Sequence, residues 1–244
     1  MPVIAAALIA VTLGAWLMLF FQHQQMTNRP MAEMWMPPSD AWQWSSIDFA
    51  VVYSMWAVMM AAMMLPSALP MIKAYSRACR QRYHQDFPYS LLFSLAYLSI
   101  WFLFSVVLTL LQWQFHHQQW LTPMMENDSP WLAALILITA GLYQFSAFKQ
   151  SCLHHCRTPA SFLLNHWQNG HSGAFKMGMT HGLYCLGCCW AQMLLMFAVG
   201  VMNITAMIIL TLFILLEKSL PLYIDTLSKT AGVLLCCWGT WLLI

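Results

Sequence analysis

The chain has 244 residues, of which 61% are hydrophobic and only 7% charged, with a formal net charge of +2. A soluble domain carries roughly 25% charged residues, so a water-soluble globule is excluded as the fold class. The small charge also argues against a nucleic-acid partner.

Apolar windows long enough to cross a hydrocarbon core of about 30 Å fall near residues 3–21, 48–70, 89–111, 130–148, 177–199, 202–217 and 228–244. They predict an all-α fold, a polytopic membrane helical bundle of about seven transmembrane helices forming a single domain over residues 1–244. Backbone groups in lipid must be satisfied within the segment, and the runs lack the polar–apolar alternation of barrel strands. The first window has no basic leader, and the FQHQQM that follows it offers no small-residue cleavage site. It therefore reads as a retained anchor rather than a signal peptide, with residues 1–45 forming an anchor helix and external loop.

Lys73, Arg77, Arg80 and Arg82 follow the second window, Lys149, Arg157 and Lys176 the fourth, and Lys218 and Lys229 the sixth, whereas Arg29 alone lies on the opposite side. By the positive-inside rule the N-terminus is cytoplasmic and the C-terminus outside, in a multi-pass protein of the inner (cytoplasmic) membrane.

Taken along the chain, the first loop holds Met26, Met31, Met34 and Met36 beside a Trp-rich stretch. These are either a weak metal relay or part of an interfacial aromatic belt. The second window, MWAVMMAAMMLPSALPM, carries Met59, Met60, Met63 and Met64 on a stripe that begins at Met55, with Pro66 placed to open the helix beside it. Methionine is also a common packing residue. His116, His117, Met124 and Met125 repeat the relay-or-packing choice in the loop after the third window.

The next loop contains KQSCLHHCRTP, where one helical turn or a compact loop presents Cys152, His155 and Cys156 together. It lacks the second ligand pair of a structural zinc site. In the fifth window, HGLYCLGCCW spaces His181, Cys185 and Cys188 at i, i+4 and i+7, within an arc of about 60°. Cys189 borders that arc, and Gly178 with Gly182 forms a small-xxx-small pair for close helix approach.

Running oppositely, the second and fifth windows bring Met63 and Met64 to the depth of Cys185 and Cys188. Thiolate and thioether are soft ligands suited to Cu(I), so a copper site in the inner half of the bilayer is expected if these helices touch. Asn203 reads as a cap in the turn before the sixth window. Glu217 and Lys218 read as an interface anchor that snorkels to water. The CCW at Cys188 recurs at Cys236, too short a match to establish a duplication.

The ordered set MMLPSALPM, CLHHCRTP, MGMTHGLYCLGCCW with AVGVMN, and LLEKSLP resembles a family of bacterial integral membrane proteins described as predicted metal-binding. Some members of that family are similar to the membrane copper chaperone associated with bacterial tyrosinase or polyphenol oxidase. The resemblance covers roughly residues 50–230 and leaves the first 45 outside. It implies a non-enzymatic protein that delivers copper, as Cu(I), to a copper-dependent oxidase such as a tyrosinase. The methionine stripe, the Cys152–Cys156 turn and His181–Cys189 match its signature positions. Two other readings stay open. One is a membrane thiol oxidoreductase using Cys185 and Cys188, or a haem protein using His116 and His181. The other is an assembly scaffold whose sulfurs only pack the bundle. No P-loop is present in the sequence to power pumping.

Overall fold

The computed structural model describes residues 2–28, 37–38, 43–122, 124–219 and 224–244. Met31, Met34 and Met36 of the expected outer relay lie outside them. Among the described residues the fold is all-helical: α1 (Pro2–Asn28), α2 (Ser46–Tyr83), α3 (Phe87–His117), α4 (Pro130–Tyr143), α5 (Ala147–Arg157), α6 (Pro159–His166), α7 (Gly170–Val199), α8 (Ile204–Ser219) and α9 (Ile224–Trp241).

Among the described residues, four helices are long and apolar enough to cross a membrane: Val3–Gln25, Ser46–Tyr83, Phe87–His117 and Gly170–Val199. The expected fourth window is not one straight rod. It holds α4 and only the start of α5, the two helices being bent by 66° at their junction, and the pair α4 and α5 makes a fifth crossing if it counts as one. The sixth and seventh windows are the 16-residue α8 and the 18-residue α9. Leu103, Leu135 and Leu183 are each more than half exposed on the outside of the bundle (65%, 64% and 56%). Such exposed leucines suit a lipid-facing girdle.

Local signals explain the boundaries. Ser45 starts α2 with a reciprocal capping box, accepting from the Asp48 amide while the Asp48 carboxylate accepts from the Ser45 amide at 2.8 Å. Pro88 and Pro130 sit in the first turns of α3 and α4, where a missing N–H costs nothing. Asn203 caps α8 as expected, its side-chain oxygen accepting from Ala206 N at 3.0 Å. Helix α2 is 38 residues long, and its last turn is held by side chains. Tyr83 donates to Asn169 at 2.9 Å and stacks on Tyr89, and the Arg82 guanidinium lies over the Trp167 ring.

Helix α3 is the hub, packing on α7 and α2, while α7 also carries α5 and α4. The close approach of α3 to α7 depends on the glycine pair read from the sequence. A β-carbon at Gly182 would lie 2.9 Å from the Ile100 side chain, and one at Gly178 would overlap the Phe93 carbonyl. Gly178→Val should therefore destabilise the bundle by about 1–3 kcal/mol through overpacking against backbone that cannot rotate away. Gly14→Ala, where the added carbon meets nothing within 4 Å, should be neutral. Thermal denaturation in detergent compares the two, and equal stabilities would remove the close-packing account.

Helices α2 and α7 meet through long side chains rather than close backbone packing, as in Trp56 against Phe197 at 5.0 Å between ring centroids. On the far side, α9 packs on α4. A β-carbon at Gly141 would meet the Cys236 sulfur at 2.6 Å, which gives that cysteine a packing role.

Candidate metal centre

Helix α7 puts Cys185, Cys188 and Cys189 on its buried face, each 1% exposed. The bend after α4 turns α5 back against α7, and Gly187 admits it: a β-carbon there would lie 2.8 Å from the Cys152 sulfur. The Tyr143 hydroxyl, at the bend, donates to the Gly187 carbonyl and pins the corner. The segment expected to be a cytoplasmic loop is thereby folded into the core. Its last cysteine, Cys156, brings a third sulfur to the site.

The Sγ atoms of Cys156, Cys185 and Cys188 lie within 4.8 Å of one another. With metal–thiolate bonds of about 2.3 Å, two sulfurs on one ion stand roughly 4.0 Å apart in trigonal and roughly 4.6 Å apart in linear coordination. The cluster can satisfy either with small side-chain adjustments. Both Cys188 and Cys189 thiols donate to the Cys185 carbonyl, at 3.1 and 2.9 Å. That places the Cys189 sulfur one bond rotation from the cluster.

Cys185 is the most elaborately held sulfur. It accepts from Lys218 Nζ at 2.9 Å and lies 3.2 Å from the Tyr97 hydroxyl. Lys218 also donates to Ser67 Oγ at 2.9 Å, and Tyr97 to the Met64 carbonyl at 3.2 Å. Thus α3 and α8 each meet the sulfur of α7 through one polar contact, and α2 holds both of those partners through Ser67 and the Met64 carbonyl. An ammonium in this position compensates negative charge on the sulfurs, in surroundings where such a charge would otherwise be costly.

The remaining candidates are placed as follows. Met59, Met60, Met63 and Met64 are fully buried, in the same apolar core as the three cysteines. They face the protein interior rather than lipid. Cys152 is buried against Gly187, outside the three-sulfur group. His155 turns away from it, its Nδ1 paired with the Ser151 carbonyl at 2.9 Å and its ring stacked on Tyr184 at 4.3 Å. His181 is buried between aromatic rings, stacked on Tyr97 and edge-on to Phe162, and its Nδ1 has no hydrogen-bond partner. It lies one turn from Cys185 without converging on the sulfurs. At the other end of the bundle His116 is buried, its Nδ1 paired with the Gln112 carbonyl at 2.9 Å. It is far along α3 from Tyr97 and the sulfur cluster.

Sequence reasoning missed the polar partners. Lys218, read as an anchor, points into the site with Tyr97 and Ser67 beside it, and a cation at the end of an apolar helix was the available signal. Glu217 does not snorkel to water. It is 2% exposed and pairs with the fully buried Lys149 at 2.6 Å, accepting also from Ser228 at 2.6 Å and Gln192 at 3.0 Å. Lys149, counted from sequence among the loop cations, also donates to Gln144. Successive positions on a helix point about 100° apart. Glu217 therefore serves the α5–α9 side while Lys218 serves the sulfurs.

A family model described as PpoB2, copper chaperone, matches residues 53–242. Neither the curated proteins nor the solved structures contain a match.

Proposed function

We propose that this chain, which belongs to the PpoB2 copper chaperone family, holds copper as Cu(I) between Cys156, Cys185 and Cys188 and supplies it to a copper-dependent oxidase of the tyrosinase type. One observation carries the reading: three sulfurs from two helices converge in the core with a lysine ammonium against one of them. Charge accounting favours a monovalent ion. With one of the three cysteines kept as a neutral thiol, two thiolates, one Cu(I) and the Lys218 ammonium sum to zero, so a soft monovalent ion can be held without adding net charge to an apolar interior.

Uncharged thioethers hold the ion more loosely than thiolates, which lets the Met63–Met64 end of the stripe accept copper from the cysteines by ligand exchange. His181 and Cys189 are reserve ligands one turn away and beside the cluster, whereas Cys152 and His155 have structural roles on α5. We place the bundle in the inner membrane with seven crossings, N-terminus inside and C-terminus outside. The four apolar helices and the bent pair support five of those crossings, α8 and α9 would supply the other two, and Lys73, Arg77, Arg80 and Arg82 at the end of α2 support the orientation.

The test is a copper titration of a partner oxidase in cells with and without this protein. Full recovery of oxidase activity on adding copper supports delivery. No recovery at any copper level points instead to a catalytic or folding role. Lys218 gives a sharper check on the purified protein. Lys218→Leu should weaken Cu(I) binding by about 1.5–3 kcal/mol, roughly ten- to a hundredfold, through loss of a charged hydrogen bond. Lys218→Arg should retain part of the wild-type affinity. Chelator competition measures both, and wild-type affinity in Lys218→Leu would remove the charge-compensation argument.

A further inference from the structure

One flank of the sulfur cluster opens into a cavity of about 650 Å³ between α2, the end of α5 and α8. Cys156, Ser67 and Lys218 of the site form part of its wall, and Lys73, Arg77 and Arg157 line the rest of its polar surface. Four cations thus surround the way in, and among the described lining residues there is no acid. Lys73 and Arg77 are exposed at the rim. A passage for bare Cu(I) would carry the opposite charge, because cationic walls repel a cation and concentrate anions.

Resting on the copper reading above, we propose that the cavity receives Cu(I) as an anionic small-molecule thiolate complex, two carrier thiolates on one ion with carboxylates at their periphery. The volume is that of a small-ligand pocket. It admits such a complex and is too small for a folded donor domain. The carboxylates meet Lys73 and Arg77, which brings the ion to Cys156, the cluster cysteine in the cavity wall.

Transfer is ligand exchange without change of oxidation state. The Cys156 sulfur forms a bond to copper as one carrier sulfur leaves, and the proton given up by the Cys156 thiol departs on the released carrier. A second exchange at Cys185 or Cys188 frees the other carrier thiol in the same way. The ion ends between protein sulfurs with Lys218 as counter-charge.

The experiment follows the rate of Cu(I) uptake by the purified, reduced full chain from two sources, the anionic Cu(I)–glutathione complex and the cationic Cu(I)–acetonitrile complex. Uptake from the glutathione complex should slow as salt is raised, because screening weakens attraction to exposed charges. Lys73→Glu with Arg77→Glu should slow it about tenfold or more. The same variant should take copper faster from the acetonitrile complex. Arg77→Gln alone should show a smaller change of the same signs, which keeps the test informative if the double variant folds poorly. Rates that do not respond to salt or to either variant, or that move together for both sources, overturn the carrier proposal while leaving the sulfur site standing. If the wild type takes up copper from neither source, the copper reading falls, and this inference with it.

Discussion

Replacing Cys185 and Cys188 together with serine is expected to abolish stoichiometric Cu(I) binding and, with it, copper-limited activation of the partner oxidase. Two of the three converging sulfurs disappear, and the lost sulfur at 185 is the one that Lys218 and Tyr97 hold in place. Loss of an outer-shell partner typically weakens metal affinity 10- to 100-fold. Removing direct ligands should exceed that, reaching about a thousandfold or more, or roughly 4 kcal/mol.

Serine is smaller and keeps a donor for the Cys185 carbonyl, so the fold should survive and circular dichroism should be unchanged. Cys237→Ser, at an exposed position on α9, should bind copper as the wild type does. Cys152→Ser should have a smaller effect than either cluster cysteine, because that sulfur packs on Gly187 outside the group. Competition against a Cu(I) chelator under reducing conditions ranks the four proteins. One tightly bound ion per chain in the double variant would end the proposed site.

The second large effect concerns stability rather than copper. Glu217→Ala leaves the Lys149 ammonium buried without its counter-charge, beside Gln144 and the Phe213 ring, and breaking a buried pair from one side typically costs 3–5 kcal/mol. Ser228 and Gln192 also lose their acceptor. The corner between α4 and α5 should loosen, and through it Cys156. Replacing both partners, Lys149→Met with Glu217→Leu, should recover most of the loss, since a well-packed apolar pair is often as stable as the ions it replaces. Thermal denaturation in detergent gives the ranking, with the double variant above the single one. The reverse order would show that the pair acts as something other than a paired buried charge. The neighbouring Lys218→Leu separates the two roles: it should lower the melting temperature less than Glu217→Ala does while lowering copper affinity.

How much of this was legible beforehand differs by residue. The face shared by Cys185 and Cys188 follows from helical period alone, and the glycine pair at 178 and 182 correctly announced a close neighbour. That neighbour is α3, and nothing in the period of α7 identifies which helix fills the groove. Tyr97 for the same reason stayed invisible, since a tyrosine in an apolar run is ordinary until its hydroxyl is seen to meet a sulfur.

The return of α5 was hidden by hydropathy. A polar stretch rich in Lys, His and Gln reads as loop, and its burial depends on one distant carboxylate, Glu217, for Lys149. Adjacent Glu217 and Lys218 look like a single polar patch on paper, and only the helical turn between them sends one to a structural ion pair and the other to the sulfurs.

The length of α2 carries a last consequence. Its 38 residues measure about 57 Å at 1.5 Å each, against an apolar layer of about 30 Å. In a bilayer placed as proposed above, close to half the rod would stand clear of the hydrocarbon, with the part beyond Pro70 as a stiff collar buttressed by Tyr83 on Asn169 and Arg82 on Trp167. Arg77 belongs to that collar. Loading from the aqueous side should then be indifferent to exchanging acidic phospholipids for zwitterionic ones, because the charges that gather the incoming complex belong to the protein.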